Sequence, residues 1–411
     1  MGLPKGAAFE QGVATLIASK KPQGPLFVWH PNELSFSSSS SWQEIYGVRK
    51  GIEPFIKSEF YDGGNFAAEA LSTVSKRDPK KHAEMRRYLG TEFSDRSLKS
   101  QEPMVADLAF GKDFGGGVDS GKEHFWVSIV TKSLRMGALA DCFRRFPALA
   151  SIVQIVFSGL IDKLLKDSRT HQKYTMDLVQ SRLASLSDRE DFLTKMIEAR
   201  NEAAISDAQI AAQFLISCTE TTATTLSCMI YYLLKNPPIL ARLQEEVRSA
   251  FNNYEDITAA TATPLKYLRA VAQEAMRVYP PLPFALPRVV PKGGCTVDGH
   301  FLPGGTTVST STFAASMSSS NFSESWELRP ERWLVDNPVD DLDASQPFSY
   351  GTRSCMGRSL GWMELHTVMA KLIYKYGLEL ADESLDWHRD SRMHTLWEKP
   401  RLMAKLKPRV G

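Results

Sequence analysis

Apolar residues recur at helical spacing over most of this chain. The clearest run is Ser206 to Asn236. Its middle is apolar on most sides, so a buried helix is expected there. Ser206 and Gln209 have capping-box spacing, and Pro237-Pro238 stops the run. At 1.5 Å per residue this helix is about 45 Å long, enough to cross a domain. A second helix is expected from Pro264 to Tyr279, with Thr263 as its cap and Pro280-Pro281 as its end. The last long helix starts near Gly357. Its Leu365, Val368, Met369, Leu372 and Ile373 repeat at i, i+3, i+4, i+7, i+8, and Gly377 is the expected C-cap. Further helical stretches lie at roughly 79–90, 122–142, 152–184 and 189–200.

Strand patterns are fewer. Gly24 to Val28 reads as a strand, followed by a turn at Pro31-Asn32. The serine run Ser37 to Ser41 reads as the polar start of a helix at Trp42, or equally as a solvated loop. A β-rich stretch follows the second helix, with turns at Asp298-Gly299 and Pro303-Gly304-Gly305. No internal repeat is visible. The pattern predicts a mainly α fold with a minor β-sheet region, in a single domain over residues 1–411.

Composition narrows the partners. The 411 residues carry 49 Lys plus Arg against 47 Asp plus Glu, a net charge of +2. That balance gives no reason to expect nucleic acid. The five cysteines are scattered, and none forms a C-x-x-C pair, so neither a zinc site nor a disulfide framework is indicated. A reducing, intracellular setting is expected. No signal-peptide pattern opens the sequence. The nearest approach to a membrane helix is Pro147 to Leu165, which Gln154, Ser158 and Asp162 interrupt. It falls short of the about 20 apolar residues a span needs and reads as a buried or membrane-dipping element.

The chemistry concentrates in Phe348-Ser-Tyr-Gly351-Thr-Arg353-Ser-Cys355-Met-Gly357. A lone intracellular cysteine is usually an inert small hydrophobe. This one is framed by specified neighbours, a pattern expected by chance in roughly one chain in ten thousand. A loop running into a helix N-terminus offers N–H groups and a positive dipole end, which stabilise a thiolate. Gly351 and Gly357 let backbone approach a flat ligand, and Arg353 can pair with a carboxylate on it.

This segment resembles the haem-binding loop of the cytochrome P450 family. Glu274-Ala-Met-Arg277 resembles the family's ExxR element, and Pro330-Glu-Arg332-Trp its PERF element. Alone, the former would read as a surface pair. Together they imply a buried structural network of Glu274, Arg277 and Arg332. His82 and Arg86 by themselves read as a solvated basic face beside Lys80, Lys81 and Arg87. The resemblance makes His82, Arg86, Arg288 and Arg353 contacts of the haem propionates. It also places Phe348, Gly351 and Gly357 at the cofactor. Thr221 and Glu220 resemble the alcohol–acid pair of the oxygen-binding groove, though buried threonines also back-bond to carbonyls. Cys218 stands where the family has glycine, and Ser217 replaces the small apolar residue before it.

The likeness extends over most of the chain, especially to fungal members that tailor secondary metabolites, such as trichothecene-type hydroxylases. It implies haem b with Cys355 as iron ligand, and a monooxygenase that hydroxylates or epoxidises an apolar small molecule: a terpenoid, polyketide or mycotoxin. It implies dioxygen as co-substrate and electrons from NADPH through a separate cytochrome reductase, since no dinucleotide motif is present. Such enzymes carry an N-terminal membrane anchor, and the expectation for residues 1–411 is a P450 domain without it. Part of the region holding two helices of the fold (D and E) is missing too, at a deletion near 105–106, and a short gap lies before Phe214. The expected location is the cytoplasm, or the cytoplasmic face of the endoplasmic reticulum through peripheral contact. Two alternatives stay open: a non-oxygenating haem enzyme of the same fold, and an inactive remnant.

Overall fold

The computed structural model describes residues 26–30, 32–62, 71–90, isolated positions between 159 and 206, and 219–409 except 337 and 394. The chain parts into two compact units, residues 1–55 with 219–411, and residues 56–218. The stretches predicted at 122–142 and 189–200 lie outside the described residues. Positions described between 159 and 180 are helical, within the stretch predicted at 152–184.

The first unit opens with antiparallel strands β1 (Leu26–His30) and β2 (Glu33–Phe36), joined through a turn at Asn32. The serine run is a helix start. Ser38 caps helix α1 (Ser39–Tyr46), accepting from the Ser41 N–H at 3.2 Å. Trp42 and Ile45 from this helix are buried against Val297, Leu302 and Val308. In the second unit, helix α2 (Pro79–Gly90) begins with proline, and the Asp78 carboxylate accepts from the Lys81 N–H at 3.0 Å. Those amide donors lower the Asp78 pKa below the usual carboxylate value.

The first unit resumes with α3 (Thr219–Lys235) and α4 (Pro237–Ala250). The Pro237-Pro238 pair both ends one helix and begins the next, because proline lacks the N–H that continuation needs but suits a first turn. Helix α5 (Lys266–Val278) starts two residues later than predicted, and Thr263 is not its cap. Glu246 of α4 takes that role, accepting from Tyr267 N at 2.7 Å and Leu268 N at 2.8 Å. Thr263 instead donates to the Ala259 carbonyl of the preceding turn at 2.6 Å.

Strand β3 (Arg288–Val289) follows, then the hairpin β4 (Cys295–Val297) and β5 (His300–Leu302). Asp298 and Gly299 both have positive φ, as a tight hairpin turn requires. Strand β6 (Thr307–Thr310) runs parallel to β2 and antiparallel to β3, so four strands of this unit pair in the order β1-β2-β6-β3. Helix α6 (Arg358–Lys375) buries Leu365, Met369 and Ile373, with Val368 and Leu372 partly covered. Gly377 is no C-cap. The chain passes directly into strand β7 (Tyr376–Leu380), where Gly377 faces Lys407. The short strands β8 (Arg392–Met393) and β9 (Trp397–Glu398) pair, and β10 (Ala404–Pro408) closes on β7.

Helices α3 to α6 share one core, in which Leu233, Leu243, Leu268, Val271, Tyr279, Met369 and Trp387 are buried. The fold is mainly helical with small sheets, the class predicted. Among the described residues, no helix is long and apolar enough to cross a membrane.

Candidate functional site

The Cys355 loop is fixed by its backbone. Ser349 and Gly351 take φ of 60° and 71°, and Gly351–Arg353 form one 3-10 turn. The Cys355 N–H donates to the Phe348 carbonyl at 2.8 Å, closing the loop. A Cβ at Gly351 would stand 2.0 Å from the Tyr46 carbonyl oxygen, so only glycine fits there. Cys355 is exposed and forms no disulfide. It lies three residues before the first residue of α6, whose amide end carries partial positive charge suited to a thiolate. Gly357 is the N-cap of α6, with an ordinary negative φ. Phe348 packs beside Gly361 and Trp362 and lies under the Arg358 guanidinium.

Arg288 is buried in β3, with its guanidinium 5.0 Å from the Tyr46 ring centroid and 3.1 Å from the Pro287 carbonyl. Tyr46 therefore meets both Arg288 and the Gly351 turn. Arg353 is partly exposed on that turn. His82 and Arg86 belong to the other unit, one helical turn apart on α2; His82 is buried and Arg86 partly so.

Glu274 and Arg277 form a bidentate pair at 2.9 and 2.7 Å, with both side chains fully buried. Arg332 reaches the same carboxylate at 3.2 Å. Three further contacts complete the network. The Trp333 indole donates to Glu274 at 2.8 Å, the Arg329 N–H at 2.9 Å, and Arg332 pairs with Asp340. Arg277 also donates to the carbonyls of Ser316, Ser325 and Glu327. Burial raises the Asp340 pKa, but bonds from Ser323 and the Arg332 charge outweigh it and leave it lowered. The sequence pattern gives no role to Trp333 or Asp340, although Trp333 stands beside Arg332 in the chain.

On α3, Thr225 donates to the Thr221 carbonyl at 3.0 Å, the back-bond open to buried threonines. Glu220 is ion-paired with Lys399, a residue no sequence motif marks. Ser217 and Cys218 lie outside the described residues. Glu364 of α6 is a half-buried acid: loss of solvent around its carboxyl pushes its pKa up to about 7, while a bond from the Thr222 hydroxyl opposes the rise. Among the described residues, no group of three or more His, Cys, Asp or Glu could hold a metal ion. Among the described cysteines, Cys355 is exposed and Cys228 and Cys295 are buried.

Residues 77–406 match the family model described as Cytochrome P450. The cytochrome P450 monooxygenase ORF11 of Penicillium roqueforti is 46% identical over 394 residues, covering 87% of this chain and 82% of that protein. The cytochrome P450 monooxygenase BipB of Cochliobolus sativus is 36% identical over 438 residues, with 95% and 86% covered. The cytochrome P450 monooxygenase BOT4 of Botryotinia fuckeliana is 33% identical over 425 residues, with 94% and 80% covered. The BipB alignment is longer than the 411 residues of this chain, so BipB carries segments that this chain lacks.

Proposed function

The chain belongs to the cytochrome P450 family and is a monooxygenase of it, and from that premise we propose that Cys355 ligates the iron of haem b in an enzyme that hydroxylates or epoxidises an apolar small molecule of fungal secondary metabolism. The observation that carries the ligand assignment is the exposed Cys355 thiol, on a loop closed by the Phe348 carbonyl and leading into α6.

The family's haem-thiolate cofactor fits the donors present. Cys355 offers a soft sulfur beside a helix N-terminus. The Gly351 turn admits backbone where any side chain would collide. Arg353 and Arg288, with His82 and Arg86, would pair with the propionate carboxylates, and Phe348 and Gly357 would border the macrocycle. When bound, the haem supplies dioxygen activation and transfer of one oxygen atom, chemistry beyond any side chain. The protein's residues do the rest. Glu220 would take protons from water, and Thr221 would hydrogen-bond the reacting oxygen. Electrons would come from NADPH through a separate reductase. Contact with a membrane would be peripheral, and the expected setting is cytoplasmic or at the endoplasmic reticulum.

The carbon monoxide difference spectrum of the reduced protein tests the ligand. A thiolate-type Soret band is expected, and it should disappear in Cys355→Ala. Absence of haem from purified wild-type protein would favour the second reading, an inactive remnant. That reading is motivated by the segments that BipB has and this chain lacks.

A further inference from the structure

Lys399 follows β9 directly and precedes Pro400. Its ammonium is ion-paired with Glu220 and donates to the Thr224 hydroxyl at 2.7 Å. Glu220 and Thr224 stand four residues apart on α3, so they share one helix face. A lysine carries three donors and can satisfy both at once. The triad therefore ties the first described turns of α3 to a segment 179 residues away in the chain.

The lysine's backbone is firmly placed. Trp397, two residues earlier, is 2% exposed. Its indole N–H donates to the Pro280 carbonyl at 2.6 Å, and its ring stacks on Tyr279 at 4.2 Å. Pro400 restricts the backbone on the other side. Side-chain exposures of 19% for Lys399 and 27% for Glu220 keep the pair largely out of water. An exposed pair would contribute about 1 kcal/mol at most and would fix little. This one is partly desolvated, has three members and hangs from an anchored strand.

We propose that Lys399 is a positioning residue for proton delivery, holding the Glu220 carboxylate and the Thr224 hydroxyl in one arrangement. This rests on the reading in which Glu220 and Thr221 pass protons to dioxygen. The net movement is one proton from solvent through the Glu220 carboxylate and the Thr221 hydroxyl to the reduced oxygen, with the electrons supplied by the reductase and with Glu220, Thr221 and Lys399 left as they began. By engaging Oε1, Lys399 leaves proton exchange to Oε2. Without that hold, the carboxylate turns freely and the relay loses its geometry.

The experiment uses full-length, haem-loaded protein with a flavin reductase and NADPH. Oxygen uptake is measured in ordinary and in heavy water. Lys399→Met should keep the haem content and Soret band of the wild type, lose about tenfold in uptake and show a larger solvent isotope effect. Lys399→Arg, which keeps the charge and donors, should recover to within about threefold. Glu220→Gln combined with Lys399→Met should be no slower than the slower single variant. Wild-type uptake and isotope effect in Lys399→Met would overturn the proposal, as would simple additivity in the double variant. Haem-loaded wild type that takes up no oxygen would instead sink the parent reading and this role with it. Urea unfolding of the same variants checks the contact apart from activity. Non-additivity of about fivefold in the unfolding constant is expected, and strict additivity would count against the triad.

Discussion

At Gly351 the chain turns with φ of 71° against the backbone of Tyr46, and a Cβ would lie 2.0 Å from the Tyr46 carbonyl oxygen. Gly351→Ala combines left-handed backbone strain with a clash against main chain, which cannot swing aside. A loss of about 2–4 kcal/mol is expected, read as a lower urea midpoint, together with weaker retention of haem. The same substitution at Gly293, where a Cβ meets nothing within 4 Å and φ is ordinary, should be nearly silent. The sequence marks Gly351 through its neighbours and suggests a close approach to a ligand. It does not show that the closest approach is to the chain's own helix α1, because Tyr46 lies about 300 residues earlier. Cys355 is legible because its signal is local, packed into ten residues. Lys399 is illegible for the opposite reason: only folding brings it to Glu220.

Among the elements, α5 shows how a weak local signal becomes a strong contact. An acid and a base three residues apart are ordinary on a helix surface. Here Glu274 and Arg277 sit at 0% exposure, and one carboxylate takes donors from Arg277, Arg329, Arg332 and Trp333. Glu274→Gln removes the charge that compensates two buried guanidiniums, so a cost of about 3–5 kcal/mol is expected. Trp333→Phe removes one donor from a carboxylate that keeps four other bonds, and should cost about 1–2 kcal/mol. Equal costs for the two variants in urea unfolding would contradict this ranking. The ends of the elements are less legible than their existence. The cap of α5 comes from Glu246 on another helix, and Gly377 is drawn into a strand by its pairing with Lys407. Both are tertiary contacts, which local spacing does not encode.

For the molecule as a whole, the buried His388 and the half-buried Glu364 shift stability with pH in opposite senses. His388 lies among Tyr279, Phe313, Trp326 and Trp397, and neither ring nitrogen has a partner among the described residues. Burial lowers its pKa from 6.5 to about 4. Between those values the unfolded chain binds the extra proton, so His388 makes stability fall as pH falls from about 6.5 to about 4. Burial lowers the His366 pKa as well, which acts in the same direction. Glu364 works the other way. Its pKa rises from 4.5 to about 7, so between those values the folded state holds the extra proton and stability falls as pH rises. Across about pH 4.5–6.5 the slopes of His388 and Glu364 nearly cancel. Glu364→Gln keeps a polar group near Thr222 but removes the titration. It should gain up to about 3 kcal/mol over wild type by pH 8 and nothing at pH 4. In that variant the His388 slope stands exposed, so urea midpoints should climb steadily from pH 4 to 6.5. A gain independent of pH would mean that Glu364 is ionised throughout, and that the substituted amide merely packs better.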